Sequence, residues 1–412
     1  MQFKKTHLLM LCVTAFFAMA GSAILAPVLP EMVAPLGTTS HEIGLMISVY
    51  TISTAIFTLV IGHFIDRVNR KSILVPCLVI YGLMGLISYF VSYLQLLLVM
   101  RFIQGIGVAG MMSLSMLIVG DVYKGHDSLH AMSRVSMAIA IGTVSAPLIG
   151  GGLAILGWNY PFLFYALSLP FAVLVIFFLP ETSVKKENDS HSGIIDVFPV
   201  LRDLRILYTV FLSFAIFFLL FSVIIYMPFM LKAVFGYTAK QAGYVLAFEG
   251  TAVIIMASRV KTLVTKYSMI QVITAGFALV GLAILAIPFT NSIVTVLLLM
   301  LVFGAGYGLA QTTNDAQIIR ISPSGSRGGV LSMHNTMKYT GQSLSPIVLG
   351  IVLLHSDINT VFTLSGILGL LIALTTYLMK GHFERIDEEI HVKSTKTSLP
   401  YSVSPEPLDD RV

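Results

Sequence analysis

The sequence predicts an all-α integral membrane protein with twelve transmembrane helices in two pseudo-symmetric six-helix halves. Composition is the first observation: 56% of the residues are hydrophobic and only 11% are charged, whereas about a quarter of an ordinary soluble domain is charged. The second is that apolar stretches of about 20 residues, long enough to cross a bilayer, recur along the whole chain. The third is an internal repeat that relates the two halves.

Twelve apolar segments form the predicted spans, and the short links between most of them require neighbouring helices to run antiparallel. The spans are residues 8–29, 42–63, 72–91, 94–119, 131–156, 160–180, 206–231, 239–260, 267–288, 292–313, 328–353 and 358–379. They divide the chain into an N-terminal half at 1–180, a polar cytoplasmic linker at 181–205, a C-terminal half at 206–380 and a polar cytoplasmic tail at 381–412.

Lysine and arginine are distributed unequally between the two sets of loops. If both termini are cytoplasmic, most of the 25 Lys and Arg residues lie on that side, and the opposite loops contain only Lys232 and Lys240. This bias is the positive-inside rule, so we expect a multi-pass protein of a bacterial plasma membrane with both termini in the cytoplasm. The net charge of +5 therefore reflects topology and does not indicate nucleic-acid binding.

A shift of 199 residues brings the second half of the chain into register with the first. It pairs identical residues at Gly82 and Gly281, Gly105 and Gly304, Gly107 and Gly306, Gly142 and Gly341, Pro147 and Pro346, and Gly151 and Gly350. Glycine permits close helix contact and proline bends a helix, so the paired residues are those that constrain the backbone. Parallel six-helix repeats predict a central cavity at their interface, open alternately to each side.

Three segments then carry a family resemblance. Residues 62–71 read GHFIDRVNRK after the second span, residues 101–107 read RFIQGIG in the fourth, and residues 142–151 read GTVSAPLIGG in the fifth. They resemble the signature loop, the conserved-arginine motif and the antiporter motif of twelve-span drug:proton exporters of the major facilitator superfamily. Asn69 and Ala146 stand where the family pattern has glycine. The resemblance covers all twelve spans.

The resemblance implies the major facilitator fold and alternating access, driven by a proton gradient without a cofactor. It also implies that the antiporter-type motif, Gly142, Pro147, Gly150 and Gly151, limits leakage and favours exchange over symport. Small residues at every fourth position let another helix pack closely. A packing seam with no directional role is therefore the alternative.

The loop after the second span predicts a conformational latch formed by Gly62, Asp66, Arg67, Arg70 and Asp121. The Asp66 carboxylate would be attracted to the N-terminus of the eleventh span, which is the positive end of that helix dipole. Arg67 and Arg70 would pair with Asp121, which ends the fourth span on the same side. Such contacts would hold the halves together on the cytoplasmic side. The alternative is the ordinary positive charge of a cytoplasmic loop.

Glu249 is the strongest candidate for proton coupling. It lies near the middle of the eighth predicted span, far from either surface. A charged carboxylate at that depth costs several kcal/mol, and an ionisable group there is by default a functional hypothesis. We therefore expect Glu249 to take up and release the coupled proton. The alternative is a protonated side chain hydrogen-bonded within the bundle.

Arg101 and Lys338 are the other two ionisable residues well inside the predicted spans. Either cation is a candidate partner for Glu249 or for an anionic part of the substrate, and Arg101 is a second candidate for proton coupling. The alternatives are a structural hydrogen-bonding role for Arg101 and a Lys338 side chain that reaches to the surface. Two cations against one acid favour a neutral, zwitterionic or partly anionic substrate.

Aromatic and polar residues of several spans predict the lining of a substrate cavity: Phe16, Tyr50, Phe218, Tyr307, Gln311, Asn335, Lys338 and Gln342. The repeat places Tyr50 at the position equivalent to Glu249. For any single aromatic residue in this group, packing in the core or against lipid is the alternative.

These features favour a secondary transporter that exports a small amphipathic molecule, a drug, metabolite or metallophore, in exchange for protons. Import of a metabolite by symport is the alternative within transport. A membrane enzyme or a receptor belongs to another class, and no Ser-His-Asp, zinc-ligand or phosphate-loop pattern supports catalysis. Cys12 and Cys77 show no metal-ligand spacing. The expected partners are the substrate, protons and the lipid bilayer, and the expected state is a monomer.

We expect Asp66→Asn to lower transport activity without preventing membrane insertion, because the amide lacks the charge that the latch requires. Transport assays and the amount of protein in isolated membranes measure the two effects. A fully active variant would eliminate the latch.

Overall fold

The computed structural model describes residues 5–64, 68–123, 125–181, 199–323 and 326–383. Within these ranges the chain is helical, with short turns and no β-strand. The described helices group into twelve long units. The first six are α1 (Lys5–Met32), α2 (Leu45–Phe64), α3 (Arg70–Tyr89), α4 (Leu94–Val122), α5 (Gly125–Leu153) and α6 (Pro161–Phe178). The last six are α7 (Leu204–Phe235), α8 (Ala239–Val264), α9 (Met269–Ala286), α10 (Ile293–Ile321), α11 (Arg327–His355) and α12 (Ile358–Leu378).

Ten of these described helices are long and apolar enough to cross a membrane. The remaining two are α2, with its shorter apolar helix Leu45–Ile61, and α11, which carries several polar side chains. These two helices pack against each other across the two halves. The all-α membrane class is thus confirmed.

Helix α10 is longer than its predicted span, which ended at residue 313, because it continues to Ile321. Hydropathy falls at the polar residues from Gln311 onwards, but none of the residues from there to Ile321 is a proline or glycine that would interrupt a helix. The difference places Asp315 inside a helix of the bundle.

The helix contacts of the first six helices recur in the last six. Helix α4 packs on α2 and α3, and α10 packs in the same way on α8 and α9. The glycines paired by the sequence repeat make equivalent close approaches. A Cβ on Gly105 would overlap the backbone oxygen of Tyr50, and a Cβ on Gly304 would overlap that of Glu249. The repeat therefore describes packing as well as sequence.

The two sets of six helices meet tightly on one side of the bundle, which we call the far side. The opposite side, where α1 begins and α12 ends, is the terminal side. On the far side, Gly151 of α5 lies against the backbone of Ala239 at the start of α8. The Glu31 carboxylate accepts a hydrogen bond of 2.8 Å from the Ala239 N–H. Lys232 donates to the Pro30 carbonyl at 2.9 Å, so the halves are closed against each other on the far side where α1 and α5 meet α7 and α8.

Helices α5 and α8 separate towards the terminal side. A cavity of about 790 Å³ lies between them there, lined by Met132, Ser133, Ser136, Met137, Ala257 and Ser258. The same two helices are in backbone contact on the far side, where Gly243 lies against Pro147. The structure is therefore in a state that is closed on the far side and open on the terminal side.

We expect Gly151→Val to destabilise this closed far side, because any Cβ there overlaps the Ala239 carbonyl. Overpacking of this kind costs about 1–3 kcal/mol. The melting temperature of the purified protein should fall. Gly152→Val is the matched control, since the space around a Cβ on Gly152 is empty. Equal melting temperatures for the two variants would contradict the tight contact.

Candidate functional site: a buried acid and a charged cluster

Glu249 lies in α8 with 5% of its surface exposed. Its backbone packs on Gly304 of α10, and the next residue, Gly250, packs on Val144 of α5. Tyr307 of α10 lies close enough to interact electrostatically with its carboxyl group. Glu249 therefore belongs to a segment of α8 that contacts α10 of its own half and α5 of the first half.

Arg101 of α4 is almost fully buried, with 1% of its surface exposed. Its guanidinium donates hydrogen bonds to Gln104 Oε1 at 2.8 Å and to the Tyr165 hydroxyl at 3.0 Å. It also lies over the rings of Tyr50, Phe162 and Tyr165, at 4.7 to 5.5 Å from their centroids. These contacts stabilise a buried cation through hydrogen bonds and cation–π attraction.

Lys338 of α11 pairs with Asp315 of α10 at 2.7 Å from Nζ to Oδ1. His334 Nε2 approaches the same oxygen at 2.7 Å. We call Asp315, His334 and Lys338 the charged cluster. Among the described residues, the ion pair of Lys338 and the hydrogen bonds of Arg101 do not include Glu249. The structure therefore brings neither cation together with Glu249: Lys338 meets Asp315 of α10, and Arg101 meets Tyr165 of α6.

The charged cluster joins three helices of the second half. The Ser213 hydroxyl of α7 lies 2.6 Å from His334 Nδ1. Asn314 of α10 donates to that hydroxyl at 3.0 Å and to the Thr209 carbonyl at 3.1 Å. The ring of Phe217, also on α7, lies 5.8 Å from the Lys338 ammonium. Hydrogen bonds therefore fix the position of the histidine and, through it, of the carboxylate.

The sequence interpretation missed Asp315, because the tenth span was ended two residues before it. A signal was present: no helix-breaking residue follows until Pro323. His334 and Lys338 also lie four residues apart, on one helix face, as a pair of donors for a single acid would. The charge count from which a neutral or anionic substrate was inferred is therefore wrong, since Asp315 adds a second acid beside Lys338.

The structure describes three of the five residues of the predicted latch, Gly62, Arg70 and Asp121. Arg70 Nε lies 3.1 Å from Asp121 Oδ2, which confirms that ion pair. Both residues belong to the first six helices, so this pair by itself does not join the halves. Gly62 lies in the last turn of α2, and Asp66 and Arg67 lie outside the described residues.

The antiporter-type motif forms a packing seam. Gly142 approaches the Phe16 carbonyl of α1, and a Cβ on Gly150 would overlap the Ile24 carbonyl. The backbone of Pro147 contacts Gly243 of α8. The motif therefore packs α5 on α1 along one face and on α8 along another.

The predicted cavity residues fall into three groups. Tyr50, Phe218, Tyr307 and Gln342 are buried, Phe16, Gln311 and Lys338 are half-buried, and Asn335 is exposed. Phe16 packs edge-on against Phe164, and Tyr307 packs edge-on against Phe217, which contacts Lys338. The opening between α5 and α8 is lined by a different set of residues.

A bundle of twelve described helices with buried charges and one closed side is typical of a membrane transporter. The model of the Major Facilitator Superfamily matches residues 11–346. The chain belongs to this superfamily. It is 30% identical to the bacillibactin exporter of Bacillus subtilis (strain 168), over 82% of this chain and 87% of that protein. It is 26% identical to multidrug resistance protein 2 of the same strain, over 88% and 92% of the two chains.

Two solved structures show the same fold. A bacterial homologue of the human lysosomal transporter Spinster, inward-facing and unoccupied, has a TM-score of 0.76 at 15% identity, covering 91% of this chain and 96% of that chain. The nucleoside transporter NupG has a TM-score of 0.76 at 16% identity, covering 90% and 99%. The major facilitator fold expected from the sequence motifs is thus confirmed.

We expect Arg101→Lys to destabilise the first half, because an ammonium does not reproduce the planar donors that reach Gln104 and Tyr165 together. Loss of one hydrogen bond to a buried charge costs about 1.5–3 kcal/mol. The melting temperature of the purified protein measures the effect, with Arg134→Lys, at an exposed position, as the control. An unchanged melting temperature would show that Arg101 stabilises by charge alone.

Proposed function

We propose that the protein exports a small amphipathic molecule across a bacterial plasma membrane in exchange for protons. It acts as a monomer with its terminal side in the cytoplasm, and it needs no cofactor. The observation that carries this proposal is the burial of Glu249 without an ion pair or hydrogen bond to its side chain among the described residues. A charged carboxylate there is costly unless it is paired, so uptake and release of a proton change the stability of the helix packing around it.

The position of Glu249 supports coupling between protonation and opening. The next residue in the chain, Gly250, lies at the α5–α8 interface, against Val144. That interface is closed on the far side and open on the terminal side. A change in the charge of Glu249 therefore acts on a helix whose movement relative to α5 would exchange the two openings.

The relatives support the direction and the substrate class. Two of them are named as an exporter of bacillibactin and as a multidrug resistance protein. Both cover most of this chain at 30% and 26% identity. We therefore propose an endogenous metabolite of the metallophore kind, or amphipathic drugs, as the exported molecules.

Inside-out membrane vesicles provide the test, with ethidium and bacillibactin as probes. An inward-acid proton gradient should drive uptake of a probe by the wild-type protein, and addition of the probe should release protons. In Glu249→Gln, gradient-driven uptake should fall to the level of vesicles without the protein, because the amide does not exchange a proton in this pH range.

Glu42→Gln is the control acid, since Glu42 lies in the far-side turn before α2, hydrogen-bonded to Thr38 and Thr39. Its variant should transport normally. Uptake of a probe by Glu249→Gln at the wild-type rate would overturn the assignment of Glu249. Movement of proton and probe in the same direction would establish symport in place of exchange.

A further inference from the structure

The Asp315 carboxylate is satisfied on one oxygen only. His334 Nε2 and Lys338 Nζ both lie 2.7 Å from Oδ1. Among the described residues, Oδ2 has no hydrogen-bond donor, and 38% of the side chain is exposed. An ionised carboxylate can accept about four hydrogen bonds. The cluster thus holds a fixed carboxylate whose second oxygen is without a protein donor among the described residues, on a partly exposed side chain.

A second acceptor without a donor lies on the same face of α11. His334, Lys338 and Gln342 follow one another at four-residue spacing, which places them along one side of the helix. Gln342 is 3% exposed, and its Oε1 has no hydrogen-bond partner among the described residues. Buried acceptors are normally paired, so a hydrogen-bond donor is missing at Gln342 Oε1.

The charges of the cluster decide what kind of donor fits. The negative charge of Asp315 is already compensated by the Lys338 ammonium at 2.7 Å. A second full cation at Oδ2 would lie within a few ångströms of that ammonium and would be repelled by it. A neutral O–H or N–H group makes the missing hydrogen bond without adding charge.

We propose that Asp315 is a substrate-recognition residue that accepts a hydrogen bond from a neutral hydroxyl, amino or amide group of the exported molecule. Lys338 and His334 hold Oδ1 and so direct Oδ2 towards the substrate. Gln342, one helical turn from Lys338 along α11, supplies a second acceptor. The proposal rests on the transport function proposed above and specifies which chemical groups the second half selects.

The Asp315→Asn variant tests whether Oδ2 accepts a hydrogen bond from the substrate. Lys338 and His334 both donate to this position, so the amide oxygen should replace Oδ1. The amide NH₂ then takes the place of Oδ2, so the variant has a hydrogen-bond donor at the position where the wild-type protein has an acceptor. Ethidium and tetraphenylphosphonium are the probes: both are permanent monocations, but only ethidium carries neutral amino donors.

Binding is measured by calorimetry on the full-length protein purified in detergent, without a proton gradient. The wild-type protein should bind ethidium more tightly than tetraphenylphosphonium. Asp315→Asn should weaken ethidium binding about tenfold, the effect of one hydrogen bond to a charged group. It should leave tetraphenylphosphonium binding unchanged, and Asp315→Glu should retain part of the preference for ethidium.

Asp127→Asn, a substitution of an exposed acid at the start of α5, is the control and should bind both probes normally. Equal losses for both probes in Asp315→Asn would reveal a structural role and overturn the proposal. So would a wild-type protein that binds ethidium no more tightly than tetraphenylphosphonium. Glu249→Gln should keep the binding preference, because no gradient is involved, so failure of proton coupling and failure of this proposal are observed separately.

Discussion

An unpaired charge inside an apolar bundle is costly, and the arrangement of this transporter follows from how each buried charge is compensated. Arg101 is stabilised by Gln104, by the Tyr165 hydroxyl and by aromatic rings. Lys338 is neutralised by Asp315. Glu249 has neither kind of partner among the described residues, and in our proposal protonation removes its charge. Its environment therefore changes in stability with each proton that binds or leaves.

Close backbone contacts connect that chemistry to movement. The two halves are joined on the far side by glycines, such as Gly151 and Gly243, that allow helices α5 and α8 to touch. The same helices separate on the terminal side. Glycine contacts have no side chains to interdigitate, so this joint can open with little repacking of side chains. Glu249 precedes Gly250, which lies in the joint. In our proposal, protonation and opening therefore act on one segment of α8.

Proton coupling and substrate recognition occupy different places in the second half in our proposals. Glu249 belongs to α8, and Asp315 belongs to the charged cluster of α10 and α11. Tyr307 lies near enough to both acids to interact with each. The tyrosine and Asp315 are eight residues apart on one helix, about 12 Å along its axis. A substrate at the charged cluster would thus be separate from the proton site and still be linked to it by a single helix.

The sequence by itself determined the membrane class and the family, because hydropathy and short motifs are local properties of the chain. Glu249 was a candidate for the same reason: its depth in an apolar run is visible without a structure. The contacts of Lys338 with Asp315, of Arg101 with Tyr165 and of Arg70 with Asp121 were decided by tertiary structure, since each joins two helices. Asp315 was missed because hydropathy reports the thickness of the apolar layer, whereas helix α10 continues beyond it to Ile321. Only the packing of α7, α10 and α11 decides which side chains meet Asp315.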